Sequence, residues 1–276
     1  MGTSNLYGGP KTSSLLPQGY APDDNQGHGA ALDSIPEGDI PEQENPENGQ
    51  PFAPIVEPSV SWSQARSSMS KAVRNRTANN IKTAISNYTK ALGGHTNATR
   101  QAVKVRNTAG ILYFLFSGTP EPVKKKLEEA GVRYEGRTTN DVFREICNLI
   151  APIPNDLEDA LVNNALQKTF SDIIVNNDVD LDLLDSFSEE LLQKLVGGLL
   201  KHYIFDKLIM QSGQTALVRC DNVESLRNLE KAIKQYIDGI VDGVVPDLVR
   251  SGINPTDFNR AIEALVDVSY QQMEEL

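Results

Sequence analysis

Side chains that could act as nucleophiles, bases or metal ligands are few in this chain and widely spaced. The cysteines are Cys147 and Cys220, and the histidines are His28, His95 and His202. None of them falls in a spacing typical of a zinc site. The chain also has no phosphate-binding glycine loop and no nucleophile elbow. We therefore predict no catalytic residues, no metal and no cofactor, and we expect both cysteines to be buried free thiols.

One acidic run resembles a calcium-binding loop. Asp178, Asp180 and Asp182 alternate with apolar residues, and Glu189 stands at the twelfth position of the frame. The sixth position is Leu183, where a calcium loop requires glycine for its sharp turn. Helix capping by Asp180 or Asp182 is therefore the favoured interpretation, and calcium binding is the weaker alternative.

The most reactive group that the sequence offers is the amine of its amino end. Removal of Met1 would leave Gly2 with an α-amine of pKa about 7.7 to 8.0, which is uncharged about a tenth of the time near neutral pH. A lysine amine is far less available, since its ordinary pKa is about 10.4. Glycine has no Cβ, so its amine can approach an activated carboxyl group within a narrow pocket.

Residues 1–60 have the composition of a segment that does not fold alone. They contain nine of the fifteen prolines, nine acidic residues and one basic residue, Lys11. Apolar side chains are sparse, so their burial could not offset an ordering cost of about 1 to 2 kcal/mol per residue. We predict a long, disordered, acidic and Pro-rich amino-terminal tail. Its root-mean-square reach of roughly 40 to 45 Å would carry the amino end into a partner while the body is docked elsewhere.

Residues 61–276 are predicted to form an all-α domain, an irregular multi-helix bundle. Only six prolines fall in this part, apolar residues recur at helical spacing, and no segment alternates long enough to indicate a sheet. The stretch 183–210 forms either one helix or two. Its Gly197-Gly198 pair either permits close helix packing, which we favour, or marks a break. The other predicted helices span about 79–92, 97–117, 122–131, 138–150, 155–174, 222–250 and 255–274.

Charge is segregated along the chain. Residues 61–120 contain nine basic residues and no acidic one, whereas residues 121–276 carry 16 basic and 28 acidic residues. Pairing of the basic block with acidic parts of the chain or with a protein partner is the favoured interpretation, and simple solvation is the weakest. Direct binding of nucleic-acid phosphates is the alternative. The block consists of Arg66, Lys71, Arg74, Arg76, Lys82, Lys90, Arg100, Lys104 and Arg106.

No membrane association is predicted. The apolar run 195–200 is too short to span a bilayer, and residues 1–30 contain no apolar signal core. Acylation of Gly2 is not expected either, because the myristoylation pattern requires Ser or Thr where this chain has Leu6. We expect a cytoplasmic protein.

The first residues resemble those of the QatB family, components of four-gene Qat anti-phage defence systems in bacteria. The resemblance lies in the Met-Gly-Thr-Ser opening, in Gly8-Gly9-Pro10, and in the small polar run that leads to Leu15-Leu16-Pro17. The acidic linker and helical body agree with the family in general character. The resemblance implies a non-enzymatic defence subunit in the bacterial cytoplasm. Its implied partners are a QueC-like enzyme, an ATPase and a TatD-like nuclease encoded alongside it.

The resemblance also implies a reaction at the amino end. QueC enzymes adenylate a carboxy-deazaguanine and pass the acyl group to ammonia, and a QueC-like defence enzyme would pass it to the amine of Gly2. Polar side chains of the tail would then hydrogen-bond along the enzyme's channel, while Leu6 and Tyr7 anchor in apolar pockets. The alternative is that the glycines only keep this end flexible. The implied recognition residues are Gly2, Thr3, Ser4, Asn5, Leu6, Tyr7, Gly8, Gly9, Pro10, Leu15 and Leu16.

Overall fold

In the computed structural model, every regular secondary-structure element of the described residues is a helix. The all-α prediction is therefore confirmed. The predicted tail lies outside the described residues as far as residue 57, and the boundary proposed near residue 60 stays a prediction. The described residues are 58–116, 122–151, 154–177, 189–213, 223–249 and 255–276.

Ten α-helices lie within these ranges, and the predicted helices from residue 122 onward match α5 to α10 closely. A π-helical turn, Ile209–Gly213, follows α8 directly. The helices are α1 (Trp62–Asn75), α2 (Ala78–Ala91), α3 (Gly94–Gln101), α4 (Val103–Phe116), α5 (Val123–Glu129), α6 (Thr139–Ile150), α7 (Leu157–Asn177), α8 (Glu189–Leu208), α9 (Val223–Val249) and α10 (Pro255–Glu275).

Helix α1 was not among the predicted helices, although its start carries a local signal. The Ser61 hydroxyl accepts a hydrogen bond from the Gln64 backbone N–H at 3.3 Å, and the Ser61 N–H donates to Gln64 Oε1 at 3.0 Å. This reciprocal pair is a capping box, which satisfies two backbone donors that a helix start leaves free. The helix ends at Arg76, whose φ of 47° lies in the left-handed region.

The single helix predicted over 97–117 is wrong, because the chain breaks there into α3 and α4. The break falls at Ala102, a fully buried residue with φ −86° and ψ 22°. Both helices pack against α10, so the break serves tertiary packing. Alanine is the best helix former, and no local residue marks this position as a helix end.

Helix α8 is continuous through Gly197 and Gly198, as the close-packing interpretation predicted. It packs against α4, α7 and α9. A Cβ placed on Gly198 would lie 2.8 Å from Thr169 Cγ2 of α7, closer than real Cβ contacts allow. A Cβ on Gly197 would lie 3.5 Å from Val245 Cγ2 of α9, which is an ordinary contact distance. Gly198 therefore permits the close approach of α7, whereas Gly197 has room for a methyl group.

Two alanine substitutions at this pair are expected to change stability in opposite directions. Gly197→Ala should raise the free energy of unfolding by about 0.5 to 1 kcal/mol, because alanine favours the helix and fits the space. Gly198→Ala should lower it by about 1 to 3 kcal/mol. Thr169 cannot easily yield, because it is 1% exposed and its hydroxyl donates to the Ala165 carbonyl at 2.7 Å. Urea denaturation of both full-length variants measures the difference, and equal stabilisation by both would contradict the close-packing account.

A buried polar cluster joins α7 to α8 inside the apolar core. Lys207 of α8 is 2% exposed, and its Nζ lies 3.1 Å from Glu158 Oε1 and 2.9 Å from the Tyr203 hydroxyl oxygen. The Tyr203 hydroxyl in turn donates a hydrogen bond to the Glu158 carboxylate. Burial lowers the pKa of Lys207, and the neighbouring Glu158 carboxylate opposes that shift. Burial is also the main reason why the pKa of Tyr203 is raised.

Tyr88 of α2 connects α1 and α2 to the rest of the body. This residue is fully buried, and its hydroxyl donates to Gln211 Oε1 in the π-helical turn at 3.2 Å. The Trp62 ring of α1 meets the Tyr88 ring edge-on at a centroid distance of 6.1 Å. Two residues earlier in α2, the Ser86 hydroxyl donates to the Glu274 carbonyl of α10 at 2.6 Å.

Candidate functional site

The amino-terminal candidates lie outside the described residues, as do residues 178–188 of the calcium-like loop, Cys220 and His28. Cys147 is a buried free thiol, as predicted, and burial raises its pKa to about 12. The candidates outside the described residues are Gly2, Thr3, Ser4, Asn5, Leu6, Tyr7, Gly8, Gly9, Pro10, Leu15 and Leu16.

The nine basic candidates are spread over four helices rather than gathered on one face. Helix α1 carries three of them, and a fourth follows at its C-terminal end; all four side chains are exposed. Helix α2 carries two half-buried lysines, α3 carries one exposed arginine, and α4 carries the last two. In chain order they are Arg66, Lys71, Arg74, Arg76, Lys82, Lys90, Arg100, Lys104 and Arg106.

The two basic residues of α4 form ion pairs with the acidic part of the body. Lys104 Nζ lies 2.6 Å from Asp156 Oδ2 and 2.5 Å from Asp159 Oδ1 at the start of α7. Hydrogen bonds to these carboxylates raise the pKa of Lys104, and the same bonds lower the pKa of both aspartates. Arg106 Nη1 lies 2.9 Å from Glu263 Oε2 of α10. These two residues therefore connect helices of the body.

Other members of the basic block make contacts within the body. Arg66 Nε donates to the Gln211 carbonyl at 3.5 Å, and Arg76 Nε donates to the Val73 carbonyl at 3.3 Å. Lys82 Nζ lies 5.7 Å from the centroid of the Tyr236 ring. Lys90 Nζ donates to the Ser86 hydroxyl oxygen at 3.0 Å. The exposed members of the block are Arg66, Lys71, Arg74, Arg76 and Arg100.

A groove of about 890 Å³ runs along the outer face of α8, between α7 and α9. Gly197 and Gly198 are among the α8 residues that line it. Apolar lining comes from all three helices, through Ile173, Phe205 and Ile237. The sequence signalled this place only through the glycine pair.

One ion pair and one histidine–aspartate hydrogen bond link α8 to the two helices that form the walls of this groove. From α8, Lys201 Nζ reaches Asp242 Oδ1 of α9 at 2.6 Å, and His202 Nε2 lies 2.8 Å from Asp172 Oδ2 of α7. Each wall thus holds one α8 side chain. A fifth residue, Asp238, lies one turn before Asp242 on α9 and also lines the groove.

Asp238 is a half-buried carboxylate to which no described residue donates a hydrogen bond. Burial raises its pKa, and the charges of Lys201, His202 and Lys234 only partly oppose that shift. Lys234 does not form an ion pair with it; its Nζ lies 4.7 Å from the Phe205 ring centroid. Its oxygens can therefore accept hydrogen bonds from water or from a bound ligand.

Metal ligation finds no support within the described ranges, which contain no cluster of three or more His, Cys, Asp or Glu side chains suited to an ion. His95 is engaged by Asp267 of α10, with Nδ1 2.9 Å from Oδ1. Among the helices that the structure describes, none is long and apolar enough to cross a membrane.

The described residues thus form a helical bundle with a broad charged groove between α7, α8 and α9. The family model described as Qat anti-phage system associated protein QatB matches residues 93–273, about two thirds of the chain. The chain belongs to the QatB family and is a component of an anti-phage defence system. No curated protein and no solved structure matches it.

The family match covers one part of the chain and leaves out another. It begins at Gly93, before α3, and ends within α10, so it contains the whole α8 groove. Helices α1 and α2 and the amino-terminal residues precede it. Six of the nine basic candidates fall in that preceding part, and only Arg100, Lys104 and Arg106 lie inside the match.

Proposed function

We propose that this chain is a non-enzymatic subunit of its Qat system, a helical scaffold that presents its amino-terminal tail to a QueC-like partner enzyme. The tail acts as substrate or ligand, and Gly2 is the residue that receives a deazaguanine-type group. The system's ATPase and TatD-like nuclease are further candidate partners, and the bacterial cytoplasm is the proposed location. Family membership supports the defence role.

The observation that carries this proposal is the division of the chain into two unlike parts. The family match lies in the helical body, whereas residues 1–60 combine nine prolines and nine acidic residues with a single lysine. Such a composition suits a segment that reaches a partner, since it cannot bury enough apolar surface to fold alone. A body that docks and a tail that reaches would place the amino end at high local concentration near the partner's active site.

The proposed chemistry is a simple acyl transfer. The uncharged amine of Gly2 attacks the acyl carbon of a deazaguanine carboxylate that the partner has adenylated. A C–N bond forms, the bond from the acyl carbon to the AMP oxygen breaks, and the amine loses a proton as AMP leaves. The product is an amide at the amino end of the chain. No residue of this chain other than Gly2 takes part in bond making.

The intact mass of the chain, purified with and without its neighbouring gene products, tests the proposal directly. We expect loss of Met1 in both preparations and an added group only where the QueC-like enzyme is present. Amino-terminal fragment masses should place that group on Gly2. A control preparation with the enzyme's nucleotide site disabled should lack it. An unmodified amino end in the complete system would contradict the amine-substrate proposal.

Nucleic-acid binding through the basic block is the second candidate function. It is favoured by the exposed positions of Arg66, Lys71, Arg74 and Arg76, with no acidic residue between 61 and 120. The ion pairs of Lys104 and Arg106 with acidic residues of the body reduce the positive surface that remains. Salt-sensitive binding to duplex or single strands would favour this candidate over tail presentation.

A further inference from the structure

We propose that the α8 groove is a docking site for an extended peptide segment of a partner protein, with a lysine or arginine side chain of that segment paired to Asp238. The inference shares with the proposed function the premise that the body docks a partner, and it does not depend on Gly2.

The dimensions of the groove fit such a segment. Its lining on α8 runs from Glu190 to Phe205, and fifteen helical steps of 1.5 Å span about 22 Å. An extended chain advances about 3.3 Å per residue, so the groove accommodates about six or seven residues.

The charge distribution in the groove favours binding of a cation beside Asp238. Asp238 and Asp242 lie one turn apart on α9; Lys201 forms an ion pair with Asp242, and Lys234 lies over the Phe205 ring. Asp238 is the carboxylate of this pair to which no described residue donates a hydrogen bond. A lysine or arginine from the partner would supply donors to it. Asp238 and Asp242 would then each be paired with one cation.

The rest of the lining suits a peptide backbone better than a polyanion. Lysines and carboxylates alternate around the groove, so both acceptors and donors of an extended chain find partners there. A phosphate backbone would meet Asp172, Asp238 and Asp242 at close range, which disfavours it. Family membership supplies the setting, because a Qat system has several protein components.

The test uses the full-length chain and pools of immobilised heptapeptides with blocked ends, random at six positions and fixed at the centre. Pools with central lysine or arginine should retain at least tenfold more protein than pools with the uncharged isostere norleucine or with glutamate. Asp238→Asn should abolish that preference. Glu224→Gln is the matched control, since it removes the same charge from an exposed position of α9 outside the groove lining, and it should change retention less than threefold.

Equal retention by the lysine, arginine and norleucine pools would overturn the proposal, and so would an unchanged preference in Asp238→Asn. Displacement of bound peptides by spermidine at equal concentration would also overturn it, since the groove would then be a site for free amines. Failure here is distinguishable from failure of the tail proposal. A Gly2 mass addition can persist in Asp238→Asn, and peptide retention can persist in a wild-type chain whose Gly2 is never modified.

Discussion

A Gly2→Leu chain is expected to fold normally and to protect cells from phage no better than a strain lacking the gene. A bulky second residue leaves Met1 in place, which moves the amine by one residue and puts a large side chain where the pocket must admit a glycine. The deazaguanine-type mass addition should disappear together with protection. Phage plating efficiency and intact mass, measured on the same cultures, report the two effects.

Two further chains separate recognition from reach. Deleting residues 2–17 should also remove protection, because it removes the proposed recognition residues as well as Gly2. Removing ten residues from the acidic linker should matter much less, because chain-closure entropy changes by only about 0.6 kcal/mol for each doubling of length. Helical circular dichroism should be unchanged in all three chains. Full protection by a Gly2→Leu chain with a demonstrably blocked or displaced amine would refute the substrate role and leave only the scaffold.

The helical fold could be predicted from the sequence wherever apolar periodicity and local end signals agreed. Helix α6 is such a case: the Thr138 hydroxyl accepts a hydrogen bond from the Asp141 backbone N–H at 3.3 Å, as its position before an apolar stripe predicted. The break at Ala102 could not be predicted in this way. Its cause is the packing of both α3 and α4 on α10, and the local residues favour a continuous helix.

The α8 groove could not be predicted from the sequence either, for a different reason. Its polar contacts join residues far apart in the sequence. His202 contacts Asp172, 30 positions away, and Lys201 contacts Asp242, 41 positions away. Only the fold brings α7 and α9 to opposite sides of α8. The glycine pair indicated close packing of α8 with its neighbours, but not the groove beside it. A periodic pattern marks which face of a helix is buried, but it does not show which neighbour lies beside that face.

The amino-terminal residues that resemble the QatB family lie outside the residues that the family model matches. The resemblance rested on about 17 amino-terminal residues, whereas the match spans residues 93–273. Two separate parts of the chain therefore point to the same family. The match adds a body with its own groove, and the tail hypothesis offers no role for that groove. A system component with a docking groove and a reactive end would hold a partner at one place and be modified at another.

Among single substitutions of polar side chains in the body, Glu158→Gln is expected to lower the free energy of unfolding the most. It would leave Lys207, which is 2% exposed, without a counter-charge inside the core. Removing one partner of a buried ion pair costs about 3 to 5 kcal/mol. Because the Glu158 side chain is 23% exposed, we expect the lower part of that range. Urea denaturation at neutral pH measures the loss of unfolding free energy.

The loss should shrink as the pH rises, which distinguishes it from a packing defect. Burial already lowers the pKa of Lys207 in the native protein, and without Glu158 that pKa falls further. Between the pKa of Lys207 in the variant and its pKa in the wild type, the folded variant has released the proton, whereas the folded wild type and both unfolded chains still bind it, since the ordinary lysine pKa is about 10.4. The unfolding free energy of the variant therefore rises with pH over that window, while that of the wild type does not. The deficit of the variant should be smaller at pH 9 than at pH 7.

Adding Lys207→Met to Glu158→Gln should recover most of the lost stability, because an uncharged side chain of similar length replaces the stranded cation. Glu129→Gln is the matched control. Glu129 pairs with Lys125 at 3.7 Å, and both side chains are more than half exposed, so its loss should cost less than about 0.5 kcal/mol. A Glu158→Gln deficit that is as small as this control, or that the second substitution deepens, would show that the Lys207 cluster contributes nothing through charge.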